Sequence, residues 1–181
     1  GFEPENLRVI APWVGGGFGP KAGLYIEYVL CGKAAQELAR PVRWTEQRSE
    51  NMVAMAQGRA MVMNAELGVN NDGSIVGLRA RVVADAGAYP ALGAILPMLT
   101  MQLSQAVYDI PAIDFFAQSV VTNTTFIGPY RGAGRPEATQ MVERILDRAA
   151  HSIGMDPAEL RRKNYIQPDA FPLTTLVGSN Y

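Results

Sequence analysis

Apolar residues along this chain change period several times, and each change marks a predicted element. Residues 7 to 14, beginning Leu7-Arg8-Val9-Ile10, form a short, largely apolar run that predicts a buried strand. Residues 20 to 39 then follow a helical period, with Ala22, Ile26, Val29, Leu30, Ala34 and Leu38 on one stripe and Leu24, Tyr28, Cys31 and Ala35 on a second. A helix apolar on two faces is expected to be largely covered by other structure. Arg40-Pro41 ends it, and Val42-Arg43-Trp44-Thr45 predicts the next strand.

From Ala60 the period becomes two. A run to Val69, a turn at Asn70-Asn71-Asp72-Gly73 and a second run from Ser74 through Ala84 predict a long antiparallel hairpin. Residues 91 to 106 predict a helix broken at Pro97, and Ile113 to Thr122 another strand. The clearest face belongs to the helix after Pro136, where Ala138, Met141, Val142, Ile145, Leu146, Ala149 and Ile153 recur every three or four residues until Gly154 stops it. Asp156-Pro157-Ala158-Glu159 then predicts a capped short helix to about Lys163. A long antiparallel hairpin within an otherwise strand, turn and helix chain gives an α+β class with a mixed sheet and packed helices. Residues 167 to 181, rich in Pro, Thr, Gly and Ser, read as a connector.

One device occurs twice in this pattern: an apolar run, a glycine-rich turn and a proline that opens helical structure. The first copy passes through Gly15-Gly16-Gly17-Phe18-Gly19 to Pro20, the second through Arg131-Gly132-Ala133-Gly134-Arg135 to Pro136. Glycine permits positive φ and close backbone approach, and a helix start presents free N–H groups, so both turns are candidate anion sites. The second also carries Tyr130 and two arginines at a helix start, where the helix dipole disfavours positive charge. Together they predict a pocket for a phosphorylated or otherwise anionic cofactor. The competing readings are a plain tight turn for the first copy, and pairing of Arg131 and Arg135 with Glu137, Glu143 or Asp147 for the second. Phe18, on the first turn, has to face either core or ligand.

Composition narrows the choice. With 181 residues the chain is long enough to bury about 70% of the surface its unfolded form exposes. Its 16 basic and 17 acidic residues, without charge runs, advertise neither nucleic acid nor an anionic membrane as partner. A single cysteine, Cys31, excludes an internal disulfide, and with a single histidine, His151, the chain lacks the ligands of a structural zinc or iron–sulfur site. Cys31 is read as a small buried residue and His151 as a partly exposed helical one. Asp85, after a strand and before Gly87, is either a functional carboxylate or a turn cap. No nucleophilic triad can be assembled from these residues. The absence of an initiator methionine makes the chain read as an internal piece of something longer, and the expected compartment is the cytoplasm.

Two segments, Val14-Gly15-Gly16-Gly17-Phe18-Gly19-Pro20-Lys21 and Pro129-Tyr130-Arg131-Gly132-Ala133-Gly134-Arg135-Pro136-Glu137-Ala138, resemble the molybdenum-cofactor-binding large subunit of the xanthine dehydrogenase, aldehyde oxidase and carbon monoxide dehydrogenase family. Pro41 to Met52, Asp85 to Tyr89 and Asp156 to Asn164 resemble it too, so the likeness extends over essentially the whole chain. It implies that residues 1–166 are the first cofactor-binding domain and that 167–181 lead toward a second. It implies cofactor contacts from Gly16, Gly17, Phe18 and Gly19. Tyr130, Arg131, Gly132 and Ala133 would face metal and substrate, with Phe18 and Arg131 shaping the catalytic pocket and Arg135 a lesser anion contact. The metal would have no protein ligand, being held by the pterin dithiolene.

The same resemblance implies a molybdopterin cytosine dinucleotide, FAD and 2Fe-2S centres on partner subunits or domains, a small-molecule substrate, and a general-base glutamate outside these residues. Two departures bear on substrate. Carbon monoxide dehydrogenases that use copper place a cysteine where this chain has Gly132, and xanthine-oxidising relatives commonly place a glutamate where it has Ala22. The loop is closer to the form II large subunits, and the expected substrate is an aldehyde or an N-heterocycle. The rival expectation is a non-catalytic module that binds an anion or a partner through the same loops.

Overall fold

A computed structural model describes residues 3–181. Its elements run α1 (Ile26–Leu38), α2 (Arg48–Ala54), β1 (Met61–Val69), β2 (Ile75–Asp85), α3 (Leu96–Gln102), β3 (Ile113–Val120), α4 (Arg135–Ile153) and α5 (Pro157–Lys163), with short 3-10 turns between them. The sheet has the order β1-β2-β3, with β1 antiparallel and β3 parallel to β2, which makes the class α+β with a mixed sheet as the sequence predicts.

The hairpin forms because the alternation of β2 is strict where it matters: Leu78, Ala80, Val82 and Ala84 are buried on one face. Its register pairs Met61 with Ala84 and Leu67 with Leu78, with an irregularity at Gly68/Val69 beside the turn. α4 lies across this sheet. Its inward residues Met141, Val142, Leu146 and Ala150 join Ile75, Leu78, Ala80, Tyr108, Ile110 and Leu160 in one core, and Ala138, a turn nearer its start, is buried as well. Gly154, at φ 69, ends the helix in the left-handed cap its sequence position predicts. Asp156 caps α5 by accepting from the N–H groups of Ala158 and Glu159 at 2.9 and 3.0 Å. Asn164, buried, ties α5 to the hairpin by accepting from Ile75 N–H at 2.9 Å and donating to the carbonyls of Gly73 and Leu160 at 2.8 Å. Residues 167–181 fold back on this body: Leu176 N–H donates to Gln105 Oε1 at 2.8 Å, and Thr175 is buried.

The first third departs from expectation. Residues 7–14 and 42–45 are extended and mostly exposed, and no strand is assigned to either. An apolar run reports a need for burial but not a hydrogen-bonding edge to join, and neither stretch meets one among the described residues. The helix expected over 20–39 is divided. Pro20 opens only a 3-10 turn to Ala22, Gly23 and Tyr25 are extended, and α1 begins at Ile26. No residue of α1 is buried, so its two apolar stripes are uncovered, and Cys31 is half-exposed, not buried as the sequence suggested. α2 was not anticipated, although Gln47 and Glu50 form its capping box, with Gln47 N–H donating to the Glu50 carboxylate at 2.7 Å. The broken helix expected over 91–106 is a 3-10 turn, Leu92–Ile95, followed by α3, and Pro97 lies in the first turn of α3, where its missing N–H is harmless.

Candidate functional site

The first glycine loop is shaped from within. Lys21 turns its ammonium back to donate to the carbonyls of Val14 and Gly16, at 3.0 and 2.8 Å. That gathers carbonyl oxygens toward the lysine, and among the described residues no acceptor takes the N–H groups of Gly15, Gly16, Gly17, Phe18 or Gly19. Phe18 sits at φ 51, a conformation a bulky residue adopts only under constraint, and its ring lies over Gly16, whose missing side chain makes the room. Phe18 itself is 54% exposed, so of the two environments it was expected to face, it does not face the core.

The second loop turns tightly before α4. Ala133 N–H donates to the Tyr130 carbonyl at 2.8 Å and Arg135 N–H to the Gly132 carbonyl at 3.2 Å. Gly134, at φ 95, is buried against α3, where a Cβ would stand 2.7 Å from Leu99 Cβ; glycine is the residue that fits both the angle and the space. The pairing proposed for the two arginines does not form. Glu137 is engaged by Arg59, while Glu143 and Asp147 are engaged by Arg161, and neither Arg131 nor Arg135 has a carboxylate within salt-bridge distance among the described residues. Arg135 instead reaches the Gly132 carbonyl at 3.4 Å. Arg131 stays exposed at a helix start, the least favourable end for a cation.

Although the two loops are 110 residues apart in sequence, they meet in space. Gly19 stands so close to Pro129 that a Cβ on it would run into the Pro129 carbonyl, and its φ of 91 excludes most side chains as well. The Arg131 guanidinium lies 5.6 Å from the centroid of the Phe18 ring, a cation–π contact across the junction. Beside it opens a cavity of about 790 Å³ lined by residues that include Gly17, Phe18, Tyr25, Trp44, Glu46 and Tyr130. Tyr25 donates to the Pro20 carbonyl at 2.7 Å, and burial, followed by the nearby Glu46 charge, raises its pKa.

The residues expected from sequence thus divide. Gly16, Gly17, Phe18, Gly19, Tyr130, Arg131, Gly132 and Ala133 lie on two adjoining loops. Asp85 lies elsewhere and acts as a turn clamp: it accepts from Gly87 N–H and Thr122 Oγ1 at 2.7 Å and from Thr124 Oγ1 at 3.0 Å, and these bonds, Gly87 first, lower its pKa. His151 is exposed in the last turn of α4. The residue that sequence reading missed is Arg59, at φ 71, whose guanidinium pairs with Glu137 at 2.9 Å and donates to the carbonyls of Tyr130 and Arg131. Nothing local marks it: its partner is 78 positions away.

The chain is similar to known proteins over most or all of its length. Residues 1–165 match the model of the molybdopterin cofactor-binding domain. The whole chain is 40% identical to the carbon monoxide dehydrogenase large chain of Hydrogenophaga pseudoflava, of which it covers 23%. It is 34% identical, again over its whole length, to the nicotine 6-hydroxylase large subunit of Paenarthrobacter nicotinovorans, covering 22% of it. The crystal structure of quinoline 2-oxidoreductase from Pseudomonas putida 86 superposes on 93% of this chain with a TM-score of 0.86 at 34% identity, using 22% of that chain. The chain therefore spans less than a quarter of the length of these relatives.

Proposed function

Because the chain belongs to the molybdopterin cofactor-binding domain family, we propose that its two glycine loops form one wall of the cofactor and substrate site of a molybdenum hydroxylase acting on an N-heterocycle or an aldehyde. The observation that carries this reading is the juxtaposition of two sets of unpaired donors. Among the described residues, the free N–H groups of Gly15 to Gly19 adjoin the carboxylate-free guanidinium of Arg131, which is the donor set an anionic pterin and its oxygen ligands require.

Gly17 adds a test of fit. Its φ does not demand glycine, and a Cβ there would find nothing nearer than Lys21 Cβ at 3.9 Å, so neither backbone nor neighbours explain the absent side chain. A ligand lying against the loop does.

When bound, the cofactor supplies two-electron oxidation of a C–H carbon with oxygen drawn from water. The chain's own residues bind and orient: Gly16, Gly17, Phe18 and Gly19 hold the cofactor through backbone N–H groups, and Arg131 places positive charge where negative charge accumulates. The Phe18 ring, with Tyr130, Gly132 and Ala133, shapes the approach for a planar substrate. Beside the site Glu137 is tied to Arg59 and Glu46 accepts from the Asn51 amide; the general base of this reading is a glutamate outside these residues. Iron–sulfur and flavin subunits or domains accept the electrons, and the nucleotide form of the pterin is the cytosine dinucleotide. Gly132 at the copper-ligand position argues against copper-dependent CO oxidation, and the nicotine and quinoline relatives favour the N-heterocycle.

The test is metal analysis of the native-source protein with acid release of nucleotide. Near-stoichiometric molybdenum and cytidine monophosphate are expected. Gly17→Val should leave folding intact while molybdenum is lost; normal occupancy in that variant sinks the assignment, and neither metal nor nucleotide in the folded wild type leaves a non-catalytic anion- or partner-binding module.

A further inference from the structure

We propose that Arg59 is a positioning residue that aims the backbone of the arginine loop at the cofactor site, with the buried carboxylate of Glu137 holding Arg59 in place; this rests on the reading above. The Arg59 side chain crosses to the loop from the segment just before β1, which runs beside residues 126–128: Gly128 N–H donates to the Gln57 carbonyl at 2.8 Å, and Gly58 packs so closely on Tyr130 that a Cβ there would lie 2.8 Å from Tyr130 Cβ. The guanidinium then makes three kinds of contact at once. It pairs with Glu137 Oε1 at 2.9 Å, donates to the carbonyls of Tyr130 and Arg131, and lies 5.4 Å from the centroid of the Tyr130 ring.

The consequence follows from peptide geometry. In a trans peptide the carbonyl and the next N–H point in opposite directions. Drawing the carbonyls of Tyr130 and Arg131 toward a single guanidinium turns the N–H groups of Arg131 and Gly132 away from it. Neither of these two donors has an acceptor among the described residues. They form a fixed pair of N–H groups next to the Phe18–Arg131 contact.

Glu137 makes the arrangement rigid. Its side chain is 4% exposed, and its second oxygen accepts from Gly134 N–H at 2.9 Å, so the carboxylate joins Arg59 to the start of α4. A buried carboxylate with both oxygens committed has one low-energy position, and so does the guanidinium it anchors. Arg59 itself is held at φ 71, a backbone conformation rarely adopted outside glycine and a mark of constraint that the surrounding contacts must sustain. Lysine cannot replace it, since an ammonium lacks the planar fork that reaches two carbonyls and a carboxylate together.

The test uses the cofactor-loaded protein and two readouts that need no known substrate. In Arg59→Gln, hydrogen exchange in a peptide spanning residues 126–136 should accelerate at least about tenfold, as expected for loss of charge-assisted bonds, while exchange in the β1–β2 hairpin stays unchanged. After partial reduction, the Mo(V) electron paramagnetic resonance spectrum should shift in the variant, because the N–H pair of Arg131 and Gly132 that would hold the cofactor has moved. Arg59→Lys should keep solubility and molybdenum content and still lose the wild-type spectrum. A wild-type spectrum in either variant, or unchanged exchange in that peptide, overturns the proposal. If Arg59→Gln fails to accumulate, Arg59→Lys decides by the same two readouts. The exchange readout reports on the clamp whether or not molybdenum is present, and molybdenum content in the wild type reports on the cofactor reading, so the two failures are distinguishable.

Discussion

Two helices of this chain follow glycine turns of the same design, and they end in opposite environments. α4 begins directly after Gly134 and buries six residues against sheet and neighbouring helices. α1 begins seven residues after Gly19, buries none, and leaves Ile26, Tyr28, Val29, Leu30 and Leu38 all more than half exposed. Between Glu3 and Met55, Pro20 alone is buried. One wall of the site therefore stands on a packed body, and the other on a segment joined to that body chiefly where Gly19 meets Pro129. A site can be precise without each half having its own core, provided the junction is tight.

The comparison breaks most sharply at the cores. Leu146→Ala should destabilise the 181-residue chain by about 2–5 kcal/mol, since Leu146 is 1% exposed in the centre of the core. Leu30→Ala, at 58% exposure, should change stability by less than about 0.5 kcal/mol. Chemical denaturation of both variants measures the contrast. In a longer protein whose additional residues cover α1, Leu30→Ala should instead approach the Leu146 value, which would show that the apolar stripes have found their partner.

Next in size is the junction. Gly19→Ala carries about 1–3 kcal/mol of backbone strain at φ 91 before the collision with the Pro129 carbonyl is counted. Relief should come by the first loop lifting off, because the body has more contacts to lose. Limited proteolysis should then cut faster within residues 14–25 while the hairpin and α4 stay protected. Equal protection of both regions in this variant would mean that the first segment is held by more than its glycine.

The contrast also explains what the sequence disclosed. The hairpin, α4 with its Gly154 stop and α5 with its Asp156 cap were legible because each satisfies its pattern inside the chain: β2 and α4 bury their apolar faces on each other, and the caps are local hydrogen bonds. The runs at 7–14 and 42–45 carried the same apolar signal without a partner, so periodicity gave a need and no address. At the site, the glycine and arginine loops were legible as motifs, but their contact through Gly19 and Pro129 was not. Arg59 was invisible altogether, since a clamp to carbonyl oxygens uses no side chain of the loop it fixes. In the sequence Glu137 reads as a partner for Arg131 or Arg135, and the structure gives it to Arg59.

The smallest expected effects lie within the body and depend on acid. Asp72, in the hairpin turn, has its pKa lowered from 3.8 to about 2, first by the Ser74 N–H, then by the Ser74 hydroxyl and by Lys163. Asp85 is lowered as well, chiefly by the Gly87 N–H and then by the Thr122 hydroxyl. A carboxyl whose folded pKa lies below its unfolded value stabilises the fold above the unfolded pKa, and that stabilisation disappears as pH falls through the folded one. For Asp72 the window runs from 3.8 down to about 2. Asp72→Asn should therefore flatten the stability curve in that window and leave it unaltered near neutrality in shape, with a small uniform loss from the weakened turn. Asp85→Asn should do the same and should also loosen residues 122–124, because an amide that donates to Thr122 or Thr124 cannot accept from both hydroxyls and the Gly87 N–H together. Stability against pH for the two variants separates these effects. Both carboxylates belong to the body and neither touches the first glycine loop, so protease protection within residues 14–25 should follow the body only when the whole molecule unfolds; a loss of that protection at a higher pH than unfolding would place an acid-sensitive contact at the junction itself.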